Sequence, residues 1–313
     1  MPHKALRYAV YAALTGLLLA AIFFLDRAPA QNAPESIAQS AACKEIEFPV
    51  SLIAKAAYAK DLTSGTVLFE KNAEAQLPLA SLTKLATAYT AFDILSPNDA
   101  ISITPEDLSP EGDAGLRVGE VWKAQDLLDY TLMVSANDGI HAIAEAAAAK
   151  KNEPFSAFIA GMNEKARSLG LNETYFSDDT GLDISSTTAG AFGSARDVAA
   201  LLSNIVQTEP RLVEGTHYEK ATFTSESGIV HHAENTSSVL EVVGGGIASK
   251  TGYTDLAGGN LAILFEPLPG RPVVAVILGS TREGRDTDME NLAVNIKRAL
   301  KRVILCQDGS QSP

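Results

Sequence analysis

Apolar spacing along the chain predicts strands at its two ends and helices between them. Residues 56–61 and 66–70 are short β-like runs on either side of Thr63-Ser64-Gly65, a hairpin signal. Residues 82–95 then carry apolar side chains at helical spacing with no Gly or Pro before position 97. Further helices are expected over 125–133, over 138–150 (nearly all Ala, Ile and His, hence central), and over 154–169, where Gly170 ends the pattern. Ser194 stands as a cap for a fifth helix reaching about 206, with Asp197 three residues on. Residues 247–250, 260–265 and 273–278 read as strands, and 288–305 as a closing helix. A strand pair at the start and three late strands around a helical middle describe an α+β domain whose sheet combines both chain ends.

Ahead of this domain the pattern changes. Lys4 and Arg7 precede an uncharged apolar run, 8–25, and Ala28-Pro29-Ala30 places small residues where a signal peptidase requires them. Residues 1–30 therefore read as a signal peptide or, since the run is just long enough to span a bilayer, an uncleaved N-terminal anchor. Either way the domain is exported, to the periplasm or the outer face of the cytoplasmic membrane. Membrane contact is expected only through this segment. Residues 31–45 are a polar linker, 46–306 the domain, and 307–313 a tail.

Composition narrows the function. Of 313 residues, 25 are Lys or Arg and 38 Asp or Glu, a formal net charge of −13. Such a surface repels phosphate backbones, so a nucleic-acid partner is not expected. Two cysteines, Cys43 and Cys306, flank the domain; in an oxidising compartment they suggest a disulfide joining its ends, the alternative being two unpaired thiols. His231-His232 lacks a carboxylate at ligand spacing and His141 sits in an apolar helix, so neither a metal nor another cofactor is expected.

Three short motifs carry candidate chemistry. Ser81-Leu82-Thr83-Lys84 begins the first long helix and sets a hydroxyl and an amine one turn apart. A buried lysine with a depressed pKa can take the proton of a serine nucleophile. Ser135-Ala136-Asn137 falls between two helices, where a hydroxyl and a carboxamide can share a cleft. Lys250-Thr251-Gly252-Tyr253 follows a β-like run, where a charge, a hydroxyl and a glycine along a strand edge can receive an extended peptide ending in a carboxylate. Each motif alone is also an ordinary cap or turn. Together, in this order, they form the active-serine triplet of penicillin-interacting enzymes.

The chain resembles the D-alanyl-D-alanine carboxypeptidases, the low-molecular-mass penicillin-binding proteins, over about residues 46–304. The likeness extends to Leu77-Pro78-Leu79-Ala80 before the nucleophile, to Thr174-Tyr175-Phe176, and to Gly181-Leu182-Asp183 and Ser194-Ala195-Arg196-Asp197. It implies a β-lactamase/transpeptidase-like fold, an antiparallel sheet with helices packed on it and a helical subdomain. It also implies a serine-type hydrolase that removes the terminal D-Ala from peptidoglycan stem peptides, in cell-wall synthesis and cell shape, and is acylated by β-lactams. Ser81 would be the nucleophile, Lys84 its base, and Ser135 a proton relay. Asn137, Lys250, Thr251, Gly252, Tyr253 and Arg285 would bind substrate, and the backbone N–H groups of Ser81 and Tyr253 would form the oxyanion hole. Arg282, in the same loop as Arg285, competes for its role, and Asp286 or Asp288 offers Arg285 a mere surface pairing. The chain departs from the family in Ala136, in Ala191-Phe192-Gly193, and in the expected lack of a C-terminal β-domain. Alternatives on the same scaffold are a DD-endopeptidase, a β-lactamase using Glu173, or a non-catalytic cell-wall-binding module.

Overall fold

The computed structural model describes residues 50–307. The N-terminal signal or anchor, the linker and Cys43, and with it the pairing to Cys306, lie outside the described residues. Among those residues no helix is long and apolar enough to cross a membrane.

A five-stranded antiparallel sheet organises the domain. Its spatial order is Gly246–Thr254, Gly258–Leu268, Arg271–Ser280, Ala56–Asp61, Val67–Lys71. The first strand pairs with the last, Ala56 opposite Leu278 and Asp61 opposite Val273, so both chain ends meet in one sheet. Side chains alternate strictly between two cores. Tyr58, Ala262, Leu264, Val274, Val276 and Leu278 face one apolar cluster; Ala57, Ala59, Leu261, Ile263, Phe265 and Ile277 face the other. Both faces are covered, which is why these strands read as nearly unbroken aliphatic runs.

The smaller core is closed by the terminal helix, Gly284–Gln307. Its Met289, Leu292, Ala293, Ile296 and Leu300 recur every three or four residues and are buried. The buried Asp288 carboxylate accepts from the backbone N–H groups of Ile53 and Ala54 and from Ser280 Oγ, tying the chain's entry to the end of the last strand.

The larger core lies on the opposite face and extends into the helical middle of the chain. Five helices build it: α1 (Thr83–Ala91), α2 (Ala124–Val134), α3 (Asn137–Lys151), α4 (Phe155–Ser168) and α5 (Ala195–Thr208). Ser194 caps α5 as expected, its Oγ accepting from the Asp197 N–H at 3.0 Å.

The elements differ from the sequence pattern mainly at their ends. The helix predicted over 82–95 stops at Ala91 and gives way to turns, and Asp99 captures the Ser96 N–H at 2.7 Å just ahead of Pro97. The strand predicted over 247–250 runs on to Thr254, held in register by Thr254 opposite Gly258, so the whole Lys-Thr-Gly-Tyr motif lies within a strand. That strand is an edge of the sheet. Short pairings of 100–102 with 121–123, and a hairpin of 220–224 with 230–234, are additional to the pattern.

Candidate active site

Ser81 sits on a single 3-10 turn, Ala80–Leu82, immediately before α1. Ala80 has φ 49°, a left-handed backbone that a side-chain-bearing residue adopts at a cost. The turn is held from three sides. Buried Asn260, on the strand Gly258–Leu268 beside the edge strand, donates its Nδ2 to the carbonyls of Pro78 and Leu79 at 2.9 and 3.0 Å and accepts from the Gly279 N–H at 2.8 Å. Gly181 lies so close that an added Cβ would come within 1.9 Å of the Ala80 carbonyl. Gly252 brings the Lys250 strand alongside, where a Cβ would stand 3.0 Å from the Leu79 carbonyl and 3.1 Å from the Ser81 nitrogen. Close approach is the physical reason for glycine at both places.

One turn into α1, Lys84 is fully buried. Its Nζ meets Ser81 Oγ at 2.7 Å, Asn137 Oδ1 at 2.6 Å and the Thr180 carbonyl at 3.1 Å. A neutral amine has two N–H donors and one lone pair. Asn137 and Thr180 accept from the two donors, which leaves the lone pair for the Ser81 hydroxyl. Burial drives the Lys84 pKa down, and the charges of Asp179, Asp178 and Asp138 restore part of it, leaving it at about 7.

A second amine lies alongside. Lys250, also buried, donates to Ser135 Oγ at 2.7 Å and to the Thr251 carbonyl at 2.9 Å. Burial, with the neighbouring charges of Lys84 and Arg285, holds its pKa well below the usual lysine value. The link between the amines is the three-residue turn Ser135-Ala136-Asn137. Ser135 ends α2 with φ 61°, and this left-handed step sends its hydroxyl to Lys250 while Asn137, opening α3, faces Lys84. Asn137 Nδ2 also donates to the Glu111 carbonyl at 2.5 Å, which fastens the 104–119 segment beside the site.

The two arginines separate clearly. Arg285, with 12% of its side chain exposed, points Nη1 and Nη2 at the carbonyls of Gly252 and Thr236, 3.4 and 3.5 Å away, and also pairs with Asp286. Thr236 Oγ1 in turn meets Thr251 Oγ1 at 2.6 Å. Arg282 instead stacks over the exposed ring of Tyr253, 5.1 Å from its centroid. Ser81, Lys84, Ser135, Asn137, Lys250, Thr251, Gly252 and Arg285 thus converge around the edge strand, with Tyr253 at the rim. His231 is elsewhere, its Nε2 2.7 Å from the buried Glu120 carboxylate. Glu173 is tied through its backbone, to Asp197 and Gln76.

Sequence reasoning passed over three contributors. Asn260 was legible as a lone amide heading an aliphatic run. Asp178-Asp179 was legible as two acids before Gly181. Thr180 acts through its carbonyl, for which a side-chain pattern holds no signal.

A family model described as D-alanyl-D-alanine carboxypeptidase matches residues 42–282. Among curated proteins, the chain is 29% identical over 237 residues to the D-alanyl-D-alanine carboxypeptidase DacB2 of Mycobacterium tuberculosis, covering 74% of this chain and 77% of that one. It is 28% identical over 256 residues to the D-alanyl-D-alanine endopeptidase of Escherichia coli, covering 79% and 77%. Among solved structures it is similar to penicillin-binding protein D2 of Listeria monocytogenes in its ampicillin-bound form, with a TM-score of 0.68, 28% identity, and 80% and 99% of the two chains covered.

Proposed function

The chain belongs to the D-alanyl-D-alanine carboxypeptidase family, and on that premise we propose how its residues divide the work. The protein is a serine-type D-Ala-D-Ala carboxypeptidase that acts on peptidoglycan stem peptides and is acylated by β-lactams. Its substrate lies outside the cytoplasm, which agrees with an export signal and a periplasmic or membrane-surface site of action.

The observation that carries the assignment of roles is the 2.7 Å contact between Lys84 Nζ and Ser81 Oγ. The substrate peptide lies along the Lys250 strand with its terminal carboxylate toward Lys250, Thr251 and Arg285. Ser81 Oγ attacks the carbonyl carbon of the penultimate D-Ala, and its proton passes to the neutral Lys84 amine. The oxyanion faces the N–H groups of Ser81 and Tyr253. The proton taken up by Lys84 is handed on through Ser135, which is bonded to Lys250, to the nitrogen of the departing D-Ala, the C–N bond breaks and Lys84 is neutral again. Water then adds to the acyl ester and releases the shortened peptide and free Ser81. Asn137 orients the substrate amide. Two unpaired thiols or a Cys43–Cys306 disulfide are distinguished by mass before and after reduction.

The test is intact mass of the full chain with benzylpenicillin, beside Ser81→Ala. A long-lived adduct absent from the variant is expected. An adduct that disappears within seconds as penicillin is consumed favours a β-lactamase, and no adduct on folded protein overturns the assignment. The endopeptidase among the relatives makes cross-linked stem peptides the natural second substrate, assayed beside the pentapeptide.

A further inference from the structure

The turn that receives the Lys84 amine is clamped from behind, and the clamp is ionisable. Thr87 Oγ1 donates to the Asp179 carbonyl at 2.6 Å, and Asp178 Oδ1 accepts from the N–H groups of Thr180 and Gly181 at 3.0 and 2.6 Å. The Asp179 carboxylate, only 4% exposed, turns away from these and meets His141 Nδ1 at 3.0 Å. His141 lies on α3 one turn after Asn137, the residue that accepts from Lys84. Its other ring nitrogen is 4.0 Å from Glu145, and its ring packs edge-on to Phe155 with centroids 5.0 Å apart. One helix therefore supplies an acceptor for the Lys84 amine and also the partner of the carboxylate whose charge acts most strongly on that amine.

We propose that His141 and Asp179 are a positioning pair for Lys84, in which the charge of His141 decides how firmly Asp179 keeps a proton on the Lys84 amine. The role rests on Lys84 acting as the base of Ser81. With His141 protonated, the imidazolium offsets part of the Asp179 charge and Lys84 releases its proton more readily. With His141 neutral, the Asp179 charge is uncompensated and favours the ammonium, which cannot take the proton of Ser81. The imidazolium thus keeps the base available toward acidic pH.

The surroundings suit this. Facing the imidazole are Glu145 from its own helix, Asp179 from the turn and Asp107 from the 104–119 segment, while α4 presents the Phe155 ring. Lys250 is the neighbouring amine whose charge and that of Lys84 oppose each other. Burial opposes protonation of His141, but the bond to and charge of Asp179, with Glu145 and Asp107 behind it, hold its pKa above the ordinary histidine value.

The experiment is the pH dependence of the second-order rate of Ser81 acylation by benzylpenicillin, measured on the full chain and on Asp179→Asn and His141→Gln. Asp179→Asn is expected to move the acidic limb down by about one pH unit, the smallest shift usual for losing a nearby opposite charge. His141→Gln keeps a donor but removes the cation, and is expected to move the limb up by roughly half a unit. Limbs that coincide with wild type, or that move in the same direction, overturn the proposal, since a packing defect lowers the plateau without opposite shifts. If Asp179→Asn does not fold, His141→Gln decides alone: an upward shift supports the pair and an unmoved limb refutes it. Failure of wild type to be acylated would instead remove the assignment of Ser81.

Discussion

Lys84 and Lys250 are both fully buried, and each amine meets a serine hydroxyl at 2.7 Å, yet the charges around them are opposite in sign. Asp138, Asp178 and Asp179 surround Lys84; Lys84 itself and Arg285 bear on Lys250. Burial lowers the proton affinity of both, and the next ring of charges sorts them. Carboxylates bring the first amine back to about 7, where it can alternate between acid and base. The charges bearing on the second are the cations Lys84 and Arg285, and on the proposed assignment a substrate carboxylate supplies its counter-charge. On the proposed assignment, one residue type, equally hidden from water, serves as a proton carrier in one pocket and an anion receptor in the other.

Breaking the first pocket has the largest expected effect. Lys84→Met keeps the length of the side chain and removes the base, and acylation by benzylpenicillin is expected to fall about 10³-fold with the fold intact, followed by stopped-flow. In the wild type, acylation rises with pH through about 7, because only the deprotonated amine accepts from Ser81. The mechanical link between the pockets is next. Asn260→Leu strips partners from the Pro78 and Leu79 carbonyls and the Gly279 N–H, and is expected to lower unfolding stability by about 3 kcal/mol in a urea titration.

Lys250→Met sharpens the contrast, with kcat/KM for a D-Ala-D-Ala peptide falling about 10²-fold. Arg285→Gln is milder, about tenfold in the same constant and mainly in KM, because one charge-assisted contact is lost from a site that keeps Lys250. A last effect is on stability. The Lys84 amine binds its proton less tightly folded than unfolded, where its pKa is 10.5, so the unfolded chain holds the extra proton between about 7 and 10.5. Stability rises with pH across that window and gains nothing from this group below it, as denaturant midpoints at several pH values would register.

Much of this was legible before any coordinates. The three motifs carry their chemistry in side chains and in order, and the sheet strands announce themselves by β-rich runs bounded by turns. That these charges gather around the two lysines was not legible. Asp179 reaches His141 from 38 residues away, and Asn260 reaches the Pro78 carbonyl across 182. Such contacts exist only once the helices have docked on the sheet. Thr180 serves through a backbone atom that every residue possesses. The hairpin 220–234 was missed because its second strand turns Val230 outward and His231 inward, which hides the alternation from an apolar pattern.

The sheet's pairing has a consequence for how the chain comes to be folded at all. Asp61 on the first strand is bonded to Arg271, 210 positions later, and the neighbouring strand registers run the same way. Loops this long close slowly, since their entropy is lost before any contact repays it. A nascent chain that has reached only its middle helices has a first hairpin with one side of its ladder bare. The central layer cannot assemble until residue 280 has been made. Any passage that requires an unfolded polymer, such as threading through a membrane pore from the N-terminus, therefore has the whole time of synthesis in which to begin.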